Sequence, residues 1–173
     1  NELVFSATYF DKTTYNQVDV KTFVPSNARI AGDYGFAEFV NNPYAKAVGV
    51  ELMIAREKGN WLTGSLSYTL MQAEGLSQDA RQGLNFYEWG LPTPARLFPL
   101  SWDQRHSIKL IANTSLPWDV NVNVNWSFHT GRPFTYYPTI DGFASLDSTL
   151  KFEPNNRSIA DYSQVDVKAS KTF

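Results

Sequence analysis

The sequence predicts an all-β fold built from about six long antiparallel strands. Apolar and polar residues alternate over stretches of about ten positions, which is the period of a strand. Short polar turns and long connections follow one another in a regular order along the chain. No amphipathic helix of about ten residues or more can be recognised.

The clearest strand runs from Val120 to Phe128, where apolar side chains alternate with Asn and Ser. A strand collects such residues on one face, whereas a helix would scatter them around its circumference. Five other stretches show the same alternation. The predicted strands are 3–11, 46–56, 61–73, 104–115, 120–128 and 163–172.

Strand length and connection length favour a membrane barrel, because alternation alone would also suit a soluble sandwich. Tilted membrane strands need about 9–11 residues, and the predicted strands have that length. Antiparallel strands return every second connection to the same end, so the short turns 57–60 and 116–119 share one end. The opposite connections, roughly 12–45, 74–103 and 129–162, are long. We therefore expect a transmembrane β-barrel segment with short periplasmic turns and long extracellular loops.

Composition points the same way. Aromatic residues make up 15% of the chain and charged residues 18%, below the roughly 25% charged residues of a soluble domain. Such a chain suits contact with lipid or with a large partner. A net charge of −2 offers no basic field for nucleic acid. The absence of cysteine excludes a disulfide scaffold and cysteine-based zinc sites.

Aromatic residues near the predicted strand ends fit the interfacial girdles of a barrel. Trp61 and Trp118 fall at the short-turn end, and Trp102, Phe128 and Phe134 fall toward the long connections. Ordinary rim or core aromatics of a sandwich are the alternative.

The polar positions of the strands predict a lumenal wall. Lipid on this face would cost about 2–4 kcal/mol for each Lys or Arg at the midplane, and Arg105, Lys109 and Lys168 belong to it. The apolar positions should therefore meet lipid. The clearest wall residues are Thr63, Ser65, Ser67, Thr69, Asn121, Asn123 and Asn125.

Several short motifs, in this order and spacing, resemble the C-terminal part of the β-barrel of TonB-dependent outer-membrane receptors. They are Ala47–Glu51, Gly64–Thr69, Asp103–His106, Thr130–Thr135, Asn155–Arg157 and Val165–Phe173. The resemblance implies that residues 1–173 are part of a larger barrel in the outer membrane of a Gram-negative bacterium. The family's plug domain and TonB-box segment have no counterpart in these residues, so we expect the chain to continue on both sides.

The resemblance also implies a function, which is energised uptake of a bulky nutrient such as an iron chelate, cobalamin or a glycan. The implied partners are outer-membrane lipid, the plug domain, the remaining barrel strands and, through the plug, TonB. An extracellular or lipoprotein partner at the long loops is also conceivable. No cofactor is implied. A soluble all-β ligand-binding module and an outer-membrane adhesin or enzyme remain alternative functions.

No catalytic constellation is recognised. Arg105 and His106 should point to opposite faces of a strand, and a rim arginine paired with a carboxylate is the better interpretation. His106 and His129 lack the spacing of a metal site. Aromatic residues concentrate in one long connection, where loops on a rigid scaffold often bind ligands. The candidate substrate contacts are Phe86, Tyr87, Trp89, Arg96 and Phe98, with packing of the loops on one another as the alternative.

Overall fold

The structure, a computed structural model, describes residues 2–23, 36–41, 44–88, 94–136 and 153–171. These residues form eleven strands and one short helix. The elements are β1 (Glu2–Thr14), β2 (Val18–Phe23), β3 (Phe36–Asn41), β4 (Ala45–Lys58), β5 (Leu62–Gly75), α1 (Gln82–Glu88), β6 (Phe98–Pro99), β7 (His106–Leu116), β8 (Val120–His129), β9 (Pro133–Phe134), β10 (Arg157–Ser158) and β11 (Tyr162–Lys171).

The six long strands form one antiparallel sheet in the order β1-β4-β5-β7-β8-β11. All six predicted strands are confirmed, with boundaries that differ by a few residues. Tight turns join β4 to β5 and β7 to β8, as the sequence predicts. In the second turn Trp118 and Asp119 have φ of 66° and 56°, the left-handed backbone that closes a tight hairpin. All longer connections lie at the other end of the sheet.

The strand register places the alternating apolar residues of all six strands on one face. Directly opposed residues form rows that cross the whole sheet. One apolar row is Phe5, Ile54, Leu66, Leu110, Trp126 and Val165. On the opposite face, one row is Ser6, Met53, Ser67, Lys109, Ser127 and Gln164. The predicted division into an apolar and a polar face is confirmed.

Within the described residues, the apolar face has no covering layer. Phe5 is 65% exposed and Ile54, on the neighbouring strand, is 43% exposed. The buried apolar side chains lie instead in the long connections or at the strand ends next to them. They are Val20, Ala45, Ala47, Ala73, Phe86, Phe98 and Leu100. The sheet is therefore a single layer, and the buried apolar side chains of the described residues lie at its long-connection end.

Small residues on the polar face let one connection lie directly on the sheet. Ala73 is fully buried, and its carbonyl accepts the N–H of Leu100 at 2.9 Å. A Cβ at Gly75 would lie 2.9 Å from Cδ2 of Leu100. β6 then pairs with the end of β5. The connection before β7 thus folds over the polar face and leaves the apolar face open.

A hairpin of β2 and β3 stands apart from the main sheet and contacts α1. The carboxylate of Asp19 accepts the N–H groups of Val20 at 2.8 Å and Gly83 at 3.4 Å. A Cβ at Gly83 would lie 2.2 Å from the Val20 carbonyl oxygen, so glycine permits this approach. No helix in the described part of the chain is long and apolar enough to cross a bilayer.

β1 and β11 occupy the two edges of the sheet and do not pair with each other. The described residues thus form an open sheet and not a closed barrel.

Candidate functional site

A cleft of about 380 Å³ lies at the long-connection end. Its walls come from β6, β9, β10 and the segments next to β7, β8 and β11, so residues distant in sequence meet there. The lining residues are Pro99, Asp103, Arg105, Thr130, Gly131, Pro133, Asn155, Asn156, Arg157, Ser158 and Asp161.

Asp103 supplies a buried carboxylate to this cleft, with 4% of its surface exposed. One oxygen accepts the N–H of Ala73 at 3.1 Å, and the other accepts an N–H of Arg105 at 2.9 Å. The Arg105 side chain remains 42% exposed. The predicted pairing of Arg105 with a carboxylate is confirmed, and its lumenal or rim position stays a prediction. The pair ties the segment before β7 to the end of β5.

Asn155 joins two connections at the cleft, the one between β5 and β7 and the one between β8 and β11. It is 6% exposed and has φ of 54°, a left-handed backbone that Asn tolerates better than most residues. Its amide nitrogen donates to the Gln78 side chain at 2.9 Å and to the Pro99 carbonyl at 2.7 Å. Its backbone N–H donates to the Thr135 hydroxyl at 3.0 Å. The cleft is thus assembled by hydrogen bonds and not by an apolar core.

Gly131 allows the segments after β8 and before β11 to approach closely. Its N–H donates to the Asp161 carboxylate at 2.9 Å, and an added Cβ would lie 1.7 Å from the Ile159 carbonyl oxygen. β9 and β10 pair beside it. Glycine is required here by the space available, since any side chain would meet the opposing backbone.

Arg157 projects from β10 over the ring of Tyr136, with 4.5 Å between the guanidinium carbon and the ring centroid. No ion pair of the described residues involves Arg157. The side-chain amide of the neighbouring Asn156 accepts the backbone N–H of Tyr136 at 2.9 Å and donates to the Tyr136 carbonyl at 3.1 Å. Asn156 therefore holds the backbone of Tyr136, and the Arg157 guanidinium lies over the Tyr136 ring.

The four described residues among the five predicted substrate contacts do not line this cleft. Phe86 and Phe98 are each 4% exposed, so their rings pack inside the loop end. Tyr87 and Arg96 are exposed. Trp89 lies outside the described residues. A substrate-binding role for this set stays a prediction.

The two histidines lie in separate surroundings. Nδ1 of His106 is 2.8 Å from the Tyr68 hydroxyl, and Nδ1 of His129 is 3.0 Å from the Gln104 amide nitrogen. His129 also stacks on Tyr162 at 5.0 Å between ring centroids. Among the described residues, no group of His, Asp and Glu could hold a metal ion.

The polar face carries a ladder of asparagines toward the short-turn end. Asn125 donates to Asn123 at 2.9 Å, and Asn123 donates to Asn113 at 2.6 Å. A shallow groove of about 240 Å³ lies beside them. One of these bonds joins residues of the same strand and the other joins β8 to β7, so the asparagine amides of this face bind one another.

Sequence reasoning recognised most cleft residues only as parts of motifs. Thr130–Thr135 and Asn155–Arg157 both enter the cleft, but neither shows a catalytic or metal-binding spacing. A signal was nevertheless present, because Gly and Asn next to Arg often mark backbone held in an unusual position. No family model, no curated protein and no solved structure matches this chain.

Proposed function

We propose that the chain is part of the wall of an outer-membrane β-barrel whose apolar face meets lipid. The observation that carries this proposal is the uncovered apolar face, which extends over six strands opposite a polar face. If water covered this face, large apolar side chains such as Phe5 and Val165 would stay hydrated, at a cost in free energy. Lipid removes that cost, and the polar face then lines the lumen.

Charged residues at the ends of the apolar face support lipid as the occupant. Lys46 pairs with Asp11 at 3.1 Å near the long connections, and Arg56 lies on the same face near the short turns. About ten residues separate Lys46 from Arg56, or about 34 Å along a strand. A tilt of about 40° reduces this to about 26 Å, close to the roughly 25 Å apolar band of outer-membrane barrels.

The two edge strands support a larger sheet. β1 and β11 are long, and their outer edges have no partner strand among the described residues. Exposed edges of this length promote aggregation unless other strands pair with them. Additional strands of the same protein would remove both edges, as a closed barrel does.

The proposed activity is nutrient uptake by a TonB-dependent receptor, with no chemistry done on the substrate. Its support is the ordered set of motifs named above, three of which meet in the cleft at the proposed extracellular end. Substrate would bind among the long connections, and TonB would act through a plug domain that these residues do not include.

Single-cysteine labelling tests the lipid-facing surface, because this chain has no cysteine of its own. Val124 and Asn125 are neighbours on β8 and face opposite sides. In outer membranes of cells that make the protein, a nitroxide at Val124→Cys should be reached by oxygen and shielded from an aqueous nickel chelate. A nitroxide at Asn125→Cys should show the reverse order. Equal access to the chelate at both positions would refute the wall proposal.

A nutrient-growth comparison tests the transport activity separately. Cells lacking this protein should lose growth on a nutrient that cells lacking TonB also fail to use at low concentration. If a strain lacking both this protein and TonB grows no worse than a strain lacking either one, the two proteins act in one shared uptake route. Growth defects that add together would contradict TonB dependence and leave the wall proposal standing.

A further inference from the structure

We infer that the cleft between Arg105 and Arg157 binds a carboxylate or phosphate group carried by the nutrient, with Asp161 contacting an adjacent hydroxyl or amine of the same molecule. This inference deepens the proposed function and rests on it for the ligand's biological role. The geometry of the cleft does not depend on that role.

Hydrogen-bonding capacity within the cleft is the first argument. Asp103 is buried and already accepts two N–H groups, and the amides of Asn155 and Asn156 are engaged by neighbouring groups. The Arg157 guanidinium is an exposed donor, and the partly exposed Arg105 guanidinium donates one N–H to Asp103 and keeps further donors. The open capacity of the cleft is therefore mainly that of donors, which suits an oxyanion.

The setting of Arg157 is the second argument. The guanidinium carbon of Arg157 lies 4.5 Å from the centre of the Tyr136 ring, and the exposed side chain lines the cleft. A guanidinium placed in this way binds a carboxylate or phosphate through two parallel hydrogen bonds. Lysine would supply the charge without the paired geometry. The cleft volume, about 380 Å³, falls within the usual range of small-molecule sites.

Asp161 gives the third argument, because its negative charge would disfavour a simple anion that carries no hydrogen-bond donor. One of its oxygens accepts the N–H of Gly131, and the side chain is exposed at the cleft. A carboxylate beside two arginines favours a ligand that carries a donor next to its oxyanion. A hydroxy acid, an amino acid or a sugar phosphate has this chemistry.

Malate and succinate are suitable probes, since they differ by one hydroxyl group, and inorganic phosphate tests the other oxyanion. The binding of each is measured by titration calorimetry on the detergent-solubilised protein. Malate should bind several-fold more tightly than succinate. Arg157→Gln should weaken both by about 10-fold to 100-fold, the usual effect of losing a charged hydrogen-bonded contact. Arg157→Lys should recover only part of the loss.

Arg132→Gln is the matched control, because Arg132 is exposed beside β9 but does not line the cleft. It should bind both probes as the unchanged protein does. Asp161→Asn keeps an oxygen for Gly131 and should remove the preference for malate over succinate. Binding of phosphate but of neither acid would assign the site to phosphate compounds and support the inference.

Three results would overturn it: no heat of binding for any probe, normal binding by Arg157→Gln, or equal loss in Arg132→Gln. The labelling experiment at Val124 and Asn125 is independent of these titrations. If the label at Val124 faces lipid but no probe binds, only the ligand-site inference is refuted. If a probe binds but the label at Val124 does not face lipid, only the wall proposal is refuted.

Discussion

A lysine placed at different depths on one strand separates lipid from every other covering of the apolar face. Leu70 lies near the middle of β5, opposite Val50 and His106, and Leu62 lies on the same face next to the short turn. Thr69 is the neighbouring residue on the polar face. Leu70→Lys, Leu62→Lys and Thr69→Lys therefore compare depth and face within a single strand.

The expected costs follow from the position of each residue. A lysine at the bilayer midplane costs about 2–4 kcal/mol, and one near the interface costs about 0–1 kcal/mol. Leu62 is eight residues from Leu70, or about 27 Å along the strand and about 21 Å along the membrane normal at a tilt of about 40°. Leu70→Lys should thus lower the folding equilibrium constant about 30-fold to 1,000-fold. Leu62→Lys and Thr69→Lys should each cost about 1 kcal/mol or less.

Urea unfolding of the protein in lipid vesicles, followed by tryptophan fluorescence, measures these differences. A protein layer on the same face predicts costs that follow packing and not depth, because a buried lysine is expensive wherever it is unpaired. An equal cost at Leu62 and Leu70 would therefore refute the lipid argument. The largest cost at Thr69 would reverse the assignment of the two faces.

Three further substitutions test the long-connection end. Gly131→Ala should separate β9 from β10, because its Cβ would lie 1.7 Å from the Ile159 carbonyl oxygen; limited proteolysis should then cut near residues 131–136 while the long strands stay protected. Asp103→Ala should destabilise the protein by about 1–3 kcal/mol by leaving a buried N–H without its acceptor, whereas Asp103→Asn should cost less, as urea unfolding would measure. Gly49→Val should also destabilise the sheet, because a Cβ there would lie 2.4 Å from the Phe10 ring; Ala55→Val on the same face of β4 is the control, and an equal loss in both would contradict this explanation.

The long strands could be predicted from sequence because each carries its own signal. Alternation in the stretch from Val120 to Phe128 requires no knowledge of any other strand. The order of short and long connections also followed, since antiparallel pairing fixes which end each connection occupies. The pairing of Arg105 with Asp103 was predictable because the two residues are close in sequence.

The contents of the long connections could not be predicted in the same way. α1 is only seven residues long and lies against β2, so its contacts involve residues more than sixty positions apart. Aromatic content suggested that Phe86 and Phe98 bind substrate, yet both rings are buried. Sequence shows that a connection is rich in aromatic residues, but burial depends on which other connection packs on it. The cleft has the same difficulty, because Asn155 acquires its role from Gln78 and Pro99.

The even number of long strands has a consequence for how such a sheet can change during evolution. Glu2 and Lys171 both lie at the short-turn end, since six antiparallel strands bring the chain back to the end from which it set out. Any sequence joined before β1 or after β11 would start from that same end. Strands gained or lost in pairs therefore leave the short turns and the long connections at their present ends of the sheet. A single added strand would exchange the two ends for every strand that follows it. The hairpin is thus the smallest unit by which this architecture can grow without inverting itself.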